Sequence, residues 1–189
     1  MVKNLIRKSL LEQGQLLSKN FIHKANIDIQ NAAIKHLDIK SCKNILSYFP
    51  YKNEVTLEII SEEFKKYKNN IFMPRIISGN KLKYNLLKKN AILEKNKYGI
   101  VEVKNKIYLD SASFDLMFIP FVGVDKDGYR LGYGGGYFDR SIADISFSEK
   151  KPIIVGLGYD FQVLEEGFAE SHDLRYDIVI TQTRIHSYK

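Results

Sequence analysis

The chain has 189 residues, enough to bury roughly 70% of its unfolded surface without staples. Lys+Arg is 29 against Asp+Glu 22, and the net charge of +7 favours anionic partners without naming them. One cysteine, Cys42, excludes an internal disulfide, a cysteine-rich zinc site and an iron–sulfur cluster. No apolar run approaches the ~20 residues that span a bilayer, and the basic start before Lys19 lacks a signal peptide's apolar block. A cytoplasmic protein is expected, folded as one domain over 1–189.

The first element reads as helix. Leu5, Ile6, Leu10, Leu16, Leu17 and Phe21 recur on one broad face, with Lys3, Arg7 and Lys8 largely off it. Lys3 and Arg7 lie one turn apart. Asn26 or Asp28 is placed to cap a second helix reaching about Asp38. Asn44 to Phe49 is strand-like and ends at Pro50. Leu57 to Tyr67 returns to helical spacing, with Ile60, Phe64 and Tyr67 inward. Ile71 to Ile76 is a strand broken by Pro74. Leu82 to Lys97 fits one short helix or two edge strands. Asp115 to Val122 is strongly apolar, and Ile142 to Phe147 extends a helix starting near Gly136. Lys151 to Tyr159 suits a buried central strand, and Asp177 to Thr181 a last short one. Strands alternating with helices predict a three-layer α/β fold: a mostly parallel, Rossmann-like sheet with helices on both faces. The lysine-rich stretches at 65–68 and 88–97 read as solvated faces. Cys42 reads as a small buried apolar residue.

The densest chemical signal is DKDGYRLGYGGGYFDR, from Asp125 to Arg140. Five glycines fall within nine residues, shortly after an apolar strand. Such a cluster lets backbone N–H groups crowd around phosphate oxygens. Arg130 brings positive charge, Tyr133 and Tyr137 offer rings or hydroxyls, and Asp139 is placed to meet a divalent cation arriving with a nucleotide. The spacing is neither that of a dinucleotide-binding turn nor of a Walker A loop.

The run RLGYGGGYFDR closely resembles the signature of the 5-formyltetrahydrofolate cyclo-ligase family, the methenyltetrahydrofolate synthetases. The longer block DLMFIPFVGVDKDGYRLGYGGGYFDR is similar to that family's central segment. The resemblance implies an ATP-dependent, Mg²⁺-requiring conversion of 5-formyltetrahydrofolate to 5,10-methenyltetrahydrofolate, ADP and phosphate. It also implies roles for single residues. Lys3 and Arg7 match a basic pair on the first helix that touches ATP. YFPYKNEV suggests Phe49 and Glu54 as folate contacts. IFMPRI gives Arg75 on the nucleotide side, although pairing with an acidic neighbour stays open. YGIVEV presents Tyr98 near the folate, followed by Glu102. Arg130, Leu131, Gly132, Tyr133, Gly134, Gly135, Gly136, Tyr137 and Phe138 match the nucleotide loop. Tyr133 to Tyr137 of that loop also face the substrate. Arg130, Tyr133 and Asp139 are the catalytic candidates, and Asp139 with Asp173 the metal ligands; His172 reads as structural.

Three positions depart from the family pattern: Val103 and Phe168 where Pro is usual, and Leu57 where Thr is common. The first and last of these, Val103 and Leu57, fall on the stretches assigned to folate. Implied partners are ATP and a reduced folate, also polyglutamylated, with no nucleic acid, no membrane and a monomeric state. Two rivals remain. Another ATP- or phosphometabolite-using enzyme would need the glycine loop without the folate positions. A basic nucleic-acid-binding module would leave the glycines unexplained.

Overall fold

The computed structural model describes residues 2–78, 81–143, 145, 150–170 and 172–188. Helices α1 (Val2–Gln15) and α2 (Lys19–His36) lead into β1 (Asn44–Leu46), α3 (Glu58–Tyr67), β2 (Asn70–Ile76) and β3 (Leu82–Leu86). A hairpin of β4 (Leu93–Lys95) and β5 (Val101–Val103) precedes β6 (Tyr108–Leu109) and β7 (Leu116–Phe118). A second hairpin, β8 (Gly123–Val124) and β9 (Arg130–Leu131), runs into α4 (Tyr137–Ser141). Strands β10 (Ile153–Leu157), β11 (Ile178–Ile180) and β12 (Ile185–Ser187) follow.

Eight strands form one sheet in the order β12-β11-β10-β7-β1-β2-β3-β6. Neighbours from β11 through β2 pair in parallel, and β12, β3 and β6 are antiparallel additions at the edges. This is the mostly parallel α/β sheet that the element pattern predicts. Alternate residues of the central strands fill two opposite cores, as the period of two requires. Ile45, Leu116, Phe118, Val155 and Ile178 pack with Ile29, Ile60 and Phe64 of α2 and α3. Leu46, Met117, Ile119 and Val179 face the other way, toward Phe114, Phe138 and Tyr176. The two long helices α2 and α3 thus share one face. The opposite face is covered by short α4 and irregular segments, and α1 packs through Leu10 on Val122 and Leu131.

Several sequence expectations shift. The first helix stops at Gln15, and Leu5, Leu16 and Phe21 are exposed. Ser18, not Asn26 or Asp28, caps α2 by accepting from the Phe21 amide. Asn26 is instead a buried core amide bonded to Tyr159 and to the Thr56 backbone. Strand β1 ends at Leu46, short of Phe49. Pro74 does not break β2. It pairs with Tyr84 between the bonds Leu87 N–H to Ile71 O and Ile77 N–H to Lys81 O, so its nitrogen faces the β1 side. There β1 has already ended opposite Phe72, and no ladder donor is lost. The 82–97 stretch holds two strands, of which β3 lies inside the sheet. Helix α4 ends at Ser141 with Ile142 as its cap; residues 144 and 146–149, on which the expected extension to Phe147 falls, lie outside those described.

The chain reaches β2 on one side of β1 and β10 and β11 on the far side of β7. Segments leaving the carboxyl ends of adjacent β1 and β7 therefore diverge, which opens a crevice between them. The 47–57 segment forms one lip, and the β8–β9 hairpin with the glycine loop forms the other.

Candidate active site

Two cavities meet in this crevice. The first, of about 750 Å³, is lined by Lys3, Arg7, Arg130, Gly132, Gly134, Gly136, Asp139, Arg140 and Asp173, with Ile142, Ile145, Pro152 and Ile154 on an apolar side. The second, of about 420 Å³, is lined by Phe49, Glu54, Tyr98, Gly135, Tyr133, Tyr137 and Phe138 together with Tyr48, Tyr51, Lys52, Pro74 and Pro120. Arg130 and Gly136 line both, so they mark the junction.

The β8–β9 turn is fixed by buried Asp125, which accepts from the amides of Asp127, Tyr129 and Phe168. That turn delivers Arg130 into the junction, where it is 7% exposed. Its Nε donates to Pro120 O at 2.8 Å, its Nη1 lies 3.3 Å from Asp139 Oδ2, and its guanidinium stacks over Phe138. A Cβ at Gly132 would lie 2.5 Å from the same guanidinium, so this glycine gives Arg130 its room. Gly134 and Gly136 have φ of 99° and 60°, a region that side chains rarely adopt. Helix α4 has only five residues and starts on Gly136, so the loop amides and cations, rather than a helix end, make the anion cradle.

Helix α1 closes this cavity. Arg7 Nε donates to Gly132 O at 2.7 Å, and Lys3 Nζ lies 2.6 Å from Asp173 Oδ2. Burial, then the nearby charge of Arg130, lowers the pKa of Arg7. Two guanidiniums held this close favour an anion between them. The lone lysine–arginine spacing on α1 thus identified a cationic edge of the site.

Asp139 Oδ1 accepts from the Leu174 amide at 3.2 Å, and Asp173 Oδ2 from the Glu170 amide at 2.7 Å. Asp139 thus pairs with Arg130, whereas Arg140 donates to Gly135 O. Among the described residues, no group of three or more His, Cys, Asp or Glu side chains is placed to hold a metal. Mg²⁺ keeps several waters and takes one or two carboxylates plus phosphate oxygens. Asp139 and Asp173 beside the cradle fit an ion that comes with phosphates. His172 sits at the cavity edge, exposed, 3.4 Å from Glu170.

In the second cavity, Glu54 Oε2 accepts from the Tyr51 amide at 2.8 Å. Burial pushes its carboxyl up to about 7, against the Tyr51 hydrogen bond and the Arg130 charge. The Tyr133 phenol is raised by burial and by Glu54, so it stays protonated and acts as a donor. Tyr51 meets Tyr133 edge to face, and Lys52 Nζ lies over both rings at 5.1 and 5.5 Å. Tyr98 and Tyr137 close the rim with their hydroxyl oxygens 3.0 Å apart.

One residue assigned to the nucleotide side is not brought there. Arg75 lines neither cavity; its Nη2 lies 2.7 Å from Glu94 and its Nε 3.8 Å from Glu102. Leu131 contributes to the first cavity from a buried position packed on α1. Sequence reasoning passed over Tyr51, Lys52 and Arg140. The signal for Lys52 was faint: a lysine between two site residues, here with a left-handed φ of 54°. Nor do the departures from the family pattern touch folate-side walls. Val103 is fully buried away from the cavity, and Leu57 is the buried N-cap of α3, where its side chain makes no capping bond. Phe168 packs beside α1. Cys42 is half-buried, and burial pushes its thiol up to about 11.

The profile of the 5-formyltetrahydrofolate cyclo-ligase family matches residues 1–182. The 5-formyltetrahydrofolate cyclo-ligase of Mycoplasma pneumoniae is 32% identical over 184 residues, covering 95% of this chain and 98% of the relative. The mouse enzyme of the same name is 27% identical, covering 94% and 92%. Among solved structures, the Aquifex aeolicus 5,10-methenyltetrahydrofolate synthetase superposes with a TM-score of 0.85 at 26% identity, covering 100% of this chain and 94% of that one. With the glycine loop, the α1 cations and the paired cavities in place, these matches show that the chain belongs to the 5-formyltetrahydrofolate cyclo-ligase family.

Proposed function

We propose that this chain uses ATP to convert 5-formyltetrahydrofolate into 5,10-methenyltetrahydrofolate, ADP and phosphate. The observation that carries the reading is the junction at Arg130. A cationic, glycine-lined cavity for a triphosphate meets a smaller cavity with aromatic walls and a single acidic side chain, suited to a pterin. The shared residue puts the γ-phosphate and the formyl group on either side of one guanidinium.

A formyl amide is a poor electrophile and its oxygen a poor leaving group. The formyl oxygen attacks the γ-phosphorus, the bond to the β-phosphate oxygen breaks, and ADP departs. N10 then attacks the activated formyl carbon. The carbon–oxygen bond to phosphate breaks, the N10 proton is lost, and the five-membered ring is closed. No covalent nucleophile of the protein is needed. Lys3, Arg7 and Arg130 neutralise charge on the transferring group, and the loop amides align it. Tyr133, held protonated, donates a hydrogen bond at the junction. Glu54 accepts from the paired N–H donors of the pterin, and Phe49, Tyr98 and Tyr137 flank the flat ring. Lys52, and Lys97 over the Tyr98 ring, supply cations for glutamate carboxylates of the substrate. Asp139 and Asp173 are the residues to hold Mg²⁺, which when bound neutralises phosphate charge.

Among the described residues, no helix is long and apolar enough to cross a membrane. The deciding measurement is absorbance of the methenyl product after 5-formyltetrahydrofolate is added with and without ATP and magnesium. An ATP-dependent rise is expected; no rise at any nucleotide concentration overturns the reading.

A further inference from the structure

The β4–β5 hairpin has three residues in each strand, too few to hold together alone. Its register places Glu94 directly opposite Glu102, an arrangement that repels. Arg75 of β2 supplies the cation for both. Its Nη2 lies 2.7 Å from Glu94 Oε1 and its Nε 3.8 Å from Glu102 Oε2.

Glu102 is 5% exposed, and its Oε1 accepts from the Ile76 amide at 3.0 Å and from Asn96 Nδ2 at 2.7 Å. Asn96 opens the hairpin turn. Its Oδ1 accepts from the amides of Tyr98 and Ile100, at 2.9 and 3.1 Å. Asn96, Tyr98 and Ile100 form one wall of the second cavity. A continuous set of polar contacts thus runs from Arg75 in the main sheet, through Glu102 and Asn96, to that wall. A charged pair held in this way is costly to break from one side, because the remaining carboxylate stays buried without its cation.

We propose that Arg75, Glu102 and Asn96 are positioning residues for the folate side: they fix the hairpin whose turn walls the apolar cavity, and Arg75 takes no part in holding phosphate. The proposal rests on the reading of that cavity as the folate site. Removing the Arg75 cation leaves Glu94 and Glu102 facing one another, the turn loses its anchor to β2, and the Tyr98–Tyr137 contact at the rim opens. The triphosphate cradle is built from other elements and is left intact.

The test compares Arg75→Met, Arg75→Lys, Asn96→Ala and Arg75→Met/Glu94→Gln with the parent. For each, KM and kcat for 5-formyltetrahydrofolate, affinity for a non-hydrolysable ATP analogue, and amide exchange over residues 96–100 are measured. Arg75→Met and Asn96→Ala are expected to raise the folate KM about tenfold or more, with kcat within about threefold and nucleotide affinity within about twofold. Exchange at Tyr98 and Ile100 should quicken in both. Arg75→Lys keeps the cation, and the added Glu94→Gln removes the facing charge, so each should recover part of the loss. A larger effect on the ATP analogue than on folate, or exchange and folate KM unchanged from the parent, overturns the proposal. Asn96→Ala keeps the test decisive if Arg75→Met does not fold. If the parent fails to turn over 5-formyltetrahydrofolate, the activity reading fails by itself, and unchanged exchange in the variants still refutes the clamp.

Discussion

Lys3 Nζ lies 2.6 Å from Asp173 Oδ2 across 170 residues of sequence, joining the first helix to the loop before the last parallel strand. Both side chains are largely covered, 20% and 10% exposed, and both line the cationic cavity. Replacing Lys3 with Met leaves Asp173 mostly buried without its cation. A loss of about 1–2 kcal/mol in urea unfolding is expected. ATP affinity should fall as well, and Lys3→Met/Asp173→Asn should regain stability but not nucleotide binding. Recovery of both by the double variant would take Lys3 out of the ATP site.

Glu54 gives a pH dependence of known sign. Its carboxyl is raised to about 7 by burial, from an ordinary 4.5. Between those values the folded state holds the proton and the unfolded state does not, so stability falls as pH rises from 4.5 through 7. Glu54→Gln removes that penalty and should stabilise the protein at pH 8 by about 1–3 kcal/mol, discounted for partial exposure, with no gain at pH 4. Pterin N–H donors favour the ionised carboxylate. Folate affinity should therefore climb with pH to about 7, level off above it, and lose this dependence in Glu54→Gln. A parallel pH profile in the variant would separate Glu54 from the folate.

Gly134→Val tests the cradle by backbone strain. A Cβ there meets only Arg7 at 3.6 Å, an ordinary contact, but φ is 99°. The variant is expected to keep a folded spectrum, lose about 1–3 kcal/mol of stability and bind the ATP analogue poorly in calorimetry. Gly132→Ala acts by a different route, since its Cβ would press on Arg130. It should impair turnover more than stability.

Arg130 lines both cavities, which removes the clean division between a nucleotide arginine and a folate glutamate that the sequence suggests. Arg130→Ala is expected to weaken both ligands and to cut kcat more than either affinity. Titrations that show a loss for ATP alone would restore the simpler division.

Asp139 holds Arg130 and the Leu174 amide as well as facing the cradle. Asp139→Asn keeps one acceptor for Leu174 and removes the charge. Turnover should drop by at least about tenfold, and half-maximal rate should need more magnesium. A magnesium titration that overlays the parent's would leave Asp139 with Arg130 as its only role.

The sequence by itself determined the class of fold, the central strands and the loop chemistry. Ile153–Leu157 and Ile178–Ile180 are legible because a strand buried on both faces must be apolar throughout. The loop from Arg130 to Asp139 is legible because only glycine supplies φ values such as those at 134 and 136. Tertiary structure decided the rest. Leu5 and Leu16 keep a helical spacing yet stay exposed, since periodicity cannot say whether a partner covers a face. Pro74 sits within a strand because β1 ends one pair earlier, a fact of register rather than of residue type. Arg75 follows a proline at what reads as a strand end, where phosphate and carboxylate are equally plausible partners for a guanidinium. Only the hairpin register, which sets Glu94 against Glu102 and delivers both to β2, decides between them.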